Sequence, residues 1–293
     1  MTTGRSMTVP AAAAGTISVG SDLTVNRMGF GAMRLTGKGI WGPPRDPEEA
    51  VRVLQRAVEL GVNFIDTADS YGPYIAEELI ARALHPYPGL VIATKGGLER
   101  PGPDRWVPNG RPDYLRRCLD GSLRRLKLDR IDLWQLHRID RDVPADEQFG
   151  VLAEFVREGK VRHVGLSEVT VEQIEQARRV VPIVSVQNRY NVMDRAHDDV
   201  VDYCEREGIA FIPWFPLGAG SLEQKEQREK QERLERVAPR HEASAMQVAL
   251  AWLLARSPVM LPIPGTSKVK HLEENVAAAT IELSEEDLQA LDA

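Results

Sequence analysis

The sequence of 293 residues has few cysteines, no long apolar run and no block of positive charge, and each absence excludes a class of protein. Cys118 and Cys204 are the only cysteines, and neither belongs to a Cys-x-x-Cys pair, so the sequence contains no disulfide framework. The longest apolar run, residues 248–255, is far shorter than the roughly 18 residues that span a membrane. A net charge of −6 without a basic block argues against nucleic-acid binding.

Metal-binding and targeting motifs are also missing. The six histidines are scattered, without a His-x-His pair on a predicted strand and without a His-Glu-x-x-His motif, so we predict no metal site. The four alanines at residues 11–14 are too few for the apolar core of a signal peptide, and we therefore expect a cytoplasmic protein. A hydrophobic content of 43% with 27% charged residues is typical of soluble globular proteins.

What the sequence does contain is a regular alternation of short apolar runs and longer segments of helical period. Eight such strand–helix units follow one another from residues 28–33 to the last run at 259–262. Parallel strands joined by helices form either a closed barrel or an open, doubly wound sheet. The count of eight, without a linker, favours an α/β fold with a single (β/α)8 TIM barrel over residues 1–293. Residues 16–25 are predicted to form a β-hairpin that caps the barrel, after a flexible tail at 1–14.

Several helix ends are indicated by capping residues. Asp46 is a predicted N-cap before a helix, with Glu49 completing a capping box. Ser284 is predicted to start the last helix with Asp287 as its partner. The segment 223–236, dense in Glu, Gln, Lys and Arg, is predicted to be a solvated helix within an inserted loop.

Chemically versatile side chains stand at the ends of three predicted strands. Asp66 ends the second strand, with Tyr71 just beyond it, while Lys95 ends the third and His137 the fourth. Catalytic groups of barrels lie at this end of the strands. A phenol is a poor acid at neutral pH, an adjacent ammonium lowers the pKa of that phenol, and a buried ammonium requires a carboxylate. These four residues therefore predict a proton donor beside a carbonyl group.

Taken one at a time, these residues have ordinary structural interpretations. An Asp or a Lys at a strand end often forms a structural ion pair, a single His is commonly a hydrogen-bonded core residue, and a single Tyr usually packs. It is the set, brought to one rim by adjacent strands, that favours catalysis.

Three motifs give the chain a family resemblance. They are G-V-N-F-I-D-T-A-D-S-Y-G at residues 61–72, A-T-K at 93–95 and D-L-W-Q-L-H at 132–137. With them the chain resembles the aldo-keto reductase superfamily, whose members are NAD(P)H-dependent oxidoreductases on a (β/α)8 barrel. The resemblance implies Tyr71 as general acid, Lys95 as the residue that tunes its pKa, Asp66 as partner of Lys95, and His137 as the residue that orients the substrate.

The resemblance also implies a cofactor site, with departures from the usual residues. Glu168 stands where the family usually has Asn, and Trp214 where a Tyr commonly stacks on the nicotinamide. Gly265 and His271 replace a common Lys and Arg, so NADPH is expected but NADH is possible. The residues that the resemblance assigns to cofactor binding are Met33, Ser167, Glu168, Gln187, Trp214, Pro216, Leu217, Gly218, Gly265, Thr266, Ser267, Lys268, His271, Glu274 and Asn275.

The expected partner is a small carbonyl compound, bound by a monomer or a weak homo-oligomer. Trp41 and Trp106 lie in loops over the barrel mouth and are predicted either to line the substrate pocket or to anchor their own loops. Residues 69–73 and 263–275 are most similar to a bacterial branch that includes pyridoxal reductases. Pyridoxal is therefore one candidate substrate, and a carbohydrate or natural-product carbonyl is the other.

The predicted function is NADPH-dependent reduction of an aldehyde or ketone to an alcohol. Two other functions are alternatives to it. The first is a redox-sensing or regulatory subunit that binds NADPH without turnover, as resemblance to the β subunits of potassium channels implies. The second is a metal-dependent barrel hydrolase, against which the missing His pairs already count.

Overall fold

A computed structural model describes residues 11–216 and 225–292, and strands and helices alternate along them. The strands are β1 (Thr16–Val19), β2 (Leu23–Asn26), β3 (Phe30–Gly31), β4 (Phe64–Asp66), β5 (Val91–Gly96), β6 (Leu98–Gly102), β7 (Arg105–Pro108), β8 (Ile131–Leu136), β9 (Val161–Ser167), β10 (Ile183–Gln187) and β11 (Ala210–Phe211). The helices are α1 (Pro47–Glu59), α2 (Ile75–Leu84), α3 (Pro112–Leu126), α4 (Ala145–Arg157), α5 (Val171–Arg178), α6 (Asp198–Glu207), α7 (Lys225–Val237), α8 (Ala245–Arg256), α9 (Val269–Ala277) and α10 (Glu285–Asp292).

The parallel strands form a barrel. Seven of them pair in the order β11, β10, β9, β8, β5, β4, β3. The segment after α8 joins the two edges, because Leu261 N–H donates to Phe211 O at one edge and Gly29 N–H donates to Pro262 O at the other. Pro262 has no N–H to give, which explains why this eighth position is not a regular strand. The predicted (β/α)8 barrel is confirmed.

The predicted N-terminal hairpin is confirmed and closes the barrel floor. Strands β1 and β2 pair antiparallel, and their alternate residues Val19 and Val25 are fully buried. These side chains and those of Ile17 and Leu23 pack in one cluster with the barrel-interior residue Leu133. The hairpin therefore keeps water out of the barrel from below.

A second hairpin, β6 and β7, lies in the loop after β5 and was not predicted. Its Arg100 guanidinium donates to the carbonyl oxygens of Ile40 and Ser70 at 2.9 and 2.8 Å. It also donates to Gly39 O and Arg105 O. A single side chain thus joins three loops over the barrel mouth.

The structure corrects two local predictions. Ala11–Ala14 form a 3₁₀ turn in which Ala11 is buried and its N–H donates to Leu60 O, so the predicted flexible tail is wrong for these four residues, while residues 1–10 lie outside the described residues. The Asp46 cap is confirmed, but Glu49 forms no capping box, because its carboxylate accepts from Arg52 and from Val269 N–H instead.

The other helix predictions are confirmed in the described part of the chain. Ser284 Oγ donates to Asp287 Oδ2 at 2.8 Å and accepts from Asp287 N–H at the start of α10. The polar segment 223–236 belongs to α7 from Lys225 onward, although Leu234 and Val237 of this helix are buried rather than solvated. Among the described helices, none combines the length and the apolarity that crossing a bilayer would require.

Because the hairpin closes the barrel floor, a cavity made among its buried side chains should lower the stability of the fold. Substituting Leu23→Ala should lower the free energy of unfolding by about 2–5 kcal/mol, because the side chain is buried against the barrel interior. The neighbouring Thr24→Ala, exposed on the same strand, should change it by less than about 0.5 kcal/mol. Urea unfolding of both variants would measure this, and equal effects would contradict the role of the hairpin.

Candidate active site

A cavity of about 600 Å³ opens at the carboxyl ends of the barrel strands. Three of the four predicted catalytic residues, Asp66, Tyr71 and His137, line it, and Lys95 lies fully buried behind them. Other residues of its lining are Gly31, Met33, Arg34, Ile40, Leu98, Trp106, Pro108, Arg138, Ser167, Gln187, Trp214, Phe215, Pro216, Ile263 and Gly265.

A buried ion pair lies at the base of this cavity. Lys95 Nζ donates to Asp66 Oδ2 at 2.6 Å and to Thr67 O at 2.8 Å. Both side chains are almost completely inaccessible to water. Burial alone would lower the pKa of Lys95, but its interactions with Asp66 and Tyr71 together outweigh burial, and the pKa of Lys95 lies above its usual value. The ammonium therefore stays charged.

Two glutamines hold the other oxygen of the carboxylate. Gln135 Nε2 and Gln187 Nε2 donate to Asp66 Oδ1 at 3.1 and 2.9 Å. Gln135 was not identified from the sequence, although a polar residue two positions before His137 on an apolar strand is a usable signal. Gln187, predicted to contact the cofactor, lines the cavity while its amide bonds to Asp66.

Tyr71 lies directly above the ion pair. Lys95 Nζ is 5.2 Å from the centre of its ring, and the residue is 6% exposed. Burial raises the pKa of the Tyr71 phenol above its usual value, and the Lys95 ammonium opposes that rise. Lys95 thus acts in the direction expected from the sequence, but desolvation of the phenolate exceeds its effect, and the net shift of this pKa is upward. The phenol keeps its proton at neutral pH.

His137 faces the same space. Its ring centre is 5.9 Å from that of Tyr71, with the two planes nearly perpendicular, and its Nδ1 is 3.2 Å from Ser70 Oγ. Burial, with the nearby Lys95 and Arg138 cations, holds the pKa of His137 well below its usual value. A neutral imidazole therefore has Nε2 left to meet an oxygen in the cavity.

The two predicted pocket tryptophans differ in role. Trp106 lines the cavity, with its ring centre 6.4 Å from that of Tyr71, and the Arg100 guanidinium stacks 3.6 Å over it. Trp41 is not among the described residues that line the cavity. Its ring centre lies 5.6 Å from the guanidinium carbon of Arg100, and its backbone pairs with that of Gly72. Trp41 anchors its own loop.

A second, shallower cavity adjoins the first. Met33 and Gly265 line both cavities, and Thr266 and Ser267 line the second. A Cβ at Gly265 would lie only 2.5 Å from Gly31 O, so this close approach of two backbones requires glycine and excludes the lysine that is common in the family.

The remaining residues predicted to bind the cofactor fall into three groups: residues on or near α9, residues that the structure does not describe, and Glu168. Lys268, His271 and Glu274 are exposed, and Asn275 is buried. Leu217 and Gly218 lie outside the described residues. Glu168 is turned away from the cavity, because its carboxylate accepts from Trp214 Nε1 and from Arg189 N–H.

Two arginines in the cavity lining were missed, although each directly follows a residue that was identified. Arg138 Nη1 donates to His137 O at 2.6 Å and to Ser167 Oγ at 3.0 Å. Arg34 follows Met33 and lines both cavities. Within residues 11–216 and 225–292, no hydrogen bond or ion pair engages its exposed guanidinium, which is therefore available to an anionic group.

Comparison with known proteins identifies the family of the chain. Residues 27–293 match the sequence profile of the Aldo/keto reductase family. An uncharacterized oxidoreductase of Schizosaccharomyces pombe is 55% identical over 290 residues, which cover 99% of this chain and 93% of that protein. Pyridoxine 4-dehydrogenase of Escherichia coli is 46% identical over 276 residues, covering 92% and 94%.

Solved structures show the same fold. The aldo-keto reductase from Klebsiella pneumoniae in complex with NADPH superposes with a TM-score of 0.78 at 26% identity, covering 94% of this chain and 93% of that one. With the profile match and the relatives, this shows that the chain belongs to the Aldo/keto reductase family and is an NAD(P)H-dependent oxidoreductase.

Proposed function

We propose that this protein reduces a small aldehyde or ketone to an alcohol with NADPH, and that Tyr71 donates the proton. The observation that carries the proposal is the Lys95–Asp66 ion pair, buried beneath a protonated phenol at the base of an apolar cavity. A general acid must hold its proton at the operating pH, as the buried Tyr71 phenol does, and the Lys95 ammonium opposes the effect of burial on its pKa.

The carbonyl oxygen of the substrate would lie between Tyr71 and His137. Tyr71 Oη donates its proton to this oxygen as negative charge develops there, and the neutral His137 donates a hydrogen bond from Nε2. The Lys95 ammonium stabilises the phenolate that remains. Positioning and electrostatic stabilisation by these preorganised groups supply the rate enhancement.

The lining of the two adjoining cavities fits a dinucleotide. NADPH supplies the hydride that reduction of a carbonyl requires. Trp214 offers an aromatic face in the first cavity, Arg34 offers an exposed cation where the two cavities meet, and Gly265 leaves room at the backbone. Lys268 at the start of α9 adds positive charge for a 2′-phosphate.

The preference for NADPH over NADH is weakened by an acidic neighbour. Val269 N–H, in the first turn of α9, donates to Glu49 Oε1 at 3.5 Å. A carboxylate thus already occupies part of the site that a 2′-phosphate would use, so NADH remains an alternative cofactor.

For the substrate we propose a small aldehyde with an aromatic or other flat apolar part. The cavity wall is made by Trp106, Leu98, Ile40 and Phe215. Pyridoxal fits this description, and the 46% identity with a pyridoxine 4-dehydrogenase supports it. A carbohydrate or natural-product carbonyl is the alternative, which competition assays with pyridoxal would distinguish.

Removing the proposed proton donor should abolish turnover but not cofactor binding. Tyr71→Phe keeps the ring and loses only the hydroxyl, so kcat should fall by a factor of about 100 to 10,000. NADPH affinity, measured by fluorescence, should stay within about threefold of wild type. Tyr74→Phe, a half-exposed tyrosine three residues away, is the matched control and should keep full activity.

Equal turnover by wild type and Tyr71→Phe would refute the assignment of the proton donor. NADPH binding with no turnover of any carbonyl by either protein would favour the non-turnover regulatory function.

Removing the cation below Tyr71 should raise the pKa of the phenol further. In Lys95→Met, kcat should fall at least about 100-fold, since the developing phenolate loses its ammonium. The high-pH limb of the pH–rate profile for reduction should move to higher pH, because a phenol of higher pKa stays protonated longer. Asp66→Asn removes the carboxylate that keeps Lys95 protonated and should lower kcat as well. A Lys95→Met enzyme with unchanged rate and profile would overturn this role.

His137 should remain neutral across the physiological pH range. Because its pKa lies well below the usual value, kcat/KM for reduction should show no inflection near pH 6.5. A pH profile from about pH 5.5 to 8 measures this directly. An inflection near the ordinary histidine pKa that disappears in His137→Gln would contradict the neutral assignment.

A further inference from the structure

A single carboxylate oxygen joins the ends of three neighbouring strands. Glu168, directly after β9, accepts on its Oε1 from Arg189 N–H at 2.7 Å and from Trp214 Nε1 at 2.5 Å. Arg189 follows β10 and Trp214 follows β11, so the three residues come from adjacent strands. The side chain therefore ties the indole of Trp214 to the rim of the barrel.

The backbone of Glu168 is held in an unfavourable conformation. Its φ is +58°, in the left-handed region that residues with a long side chain rarely adopt. Such a conformation persists where surrounding contacts impose it. The two hydrogen bonds to Oε1 are contacts of this kind, because they direct the carboxylate toward Trp214 and away from the cavity.

Trp214, in contrast, belongs to the cavity wall. It lines the same space as Tyr71, His137 and Gln187. An indole has one N–H, and here that N–H is bound to a carboxylate, which is the stronger, charge-assisted kind of hydrogen bond. The bond fixes the rotation of the ring and hence the direction of its aromatic face.

We propose that Glu168 is a positioning residue for the cofactor: its carboxylate holds the Trp214 indole in the orientation against which the nicotinamide ring stacks. This rests on the proposed function, which places the nicotinamide in this cavity. Glu168 itself does not contact the cofactor and acts through Trp214. A carboxylate suits this task because it only accepts hydrogen bonds, and both of its partners here are N–H donors.

The same carboxylate affects a second group in the cavity. Burial lowers the pKa of the Arg138 guanidinium, and the Glu168 charge opposes that shift. A change at residue 168 can therefore act on the site without involving Trp214, and the test must separate the two routes.

A double-mutant cycle separates the effect of Glu168 through Trp214 from its effect through Arg138. NADPH binding is measured by cofactor fluorescence in the absence of substrate. Glu168→Ala in the protein that retains Trp214 should weaken NADPH binding roughly tenfold. In the Trp214→Phe background, where no indole N–H exists, the same substitution should weaken binding by less than about twofold. Glu168→Gln keeps an acceptor without charge and should give an intermediate loss.

A spectroscopic readout tests the contact itself. Subtracting the fluorescence spectrum of Trp214→Phe from that of wild type gives the emission of Trp214. Subtracting the spectrum of the double variant Glu168→Gln/Trp214→Phe from that of Glu168→Gln gives the emission of Trp214 without the carboxylate. The emission maximum of this second spectrum should be shifted relative to the first. Equal losses of NADPH affinity in both backgrounds, with no spectral shift, would show that Glu168 acts through Arg189 or Arg138 and would overturn the proposal. Failure of the wild type to bind NADPH is a separate result, which overturns the proposed function and this inference together.

Discussion

The ion pair between Lys95 and Asp66 is the contact on which the rest of the site depends. Burying two charges is costly unless they meet at short range and their remaining hydrogen-bonding capacity is used. Here Thr67 O, Gln135 and Gln187 complete the pair, so the ammonium persists in an apolar environment. Its field acts on Tyr71 without screening by water, which is why a phenol in this position can release its proton to a substrate.

The barrel architecture shields the ion pair from both ends. The β1–β2 hairpin fills the floor with apolar side chains, while Arg100 joins three loops at the mouth and stacks on Trp106. Asp66, Lys95 and His137 stand on strands β4 and β5 and directly after β8, which are adjacent in the sheet, so their relative positions depend on the barrel rather than on mobile loops. Rigid supports of this kind are what an electrostatic mechanism requires.

The alternation of strands and helices was enough to predict the barrel, because it follows from local periodicity. The residues at the strand ends were enough to bring Asp66, Tyr71, Lys95 and His137 together, because the carboxyl ends of parallel strands meet at one rim. The contact of Glu168 with Trp214 spans 46 positions and depends on side-chain direction, which periodicity does not determine. The same holds for Arg100, which bonds to residues up to 61 positions away. The net rise in the pKa of Tyr71 was not predicted, because burial, the dominant influence on it, is a property of the packed structure.

The most direct test of carbonyl reduction at this site follows the hydrogen that is transferred. NADPH carrying deuterium at both C4 positions of its nicotinamide would be incubated with the wild-type protein and pyridoxal or another aldehyde, and the alcohol analysed by mass spectrometry and NMR. We expect one deuterium on the former carbonyl carbon and none on the hydroxyl oxygen, whose proton exchanges with water. An alcohol without deuterium at that carbon, or no alcohol from any aldehyde despite NADPH binding, would contradict it.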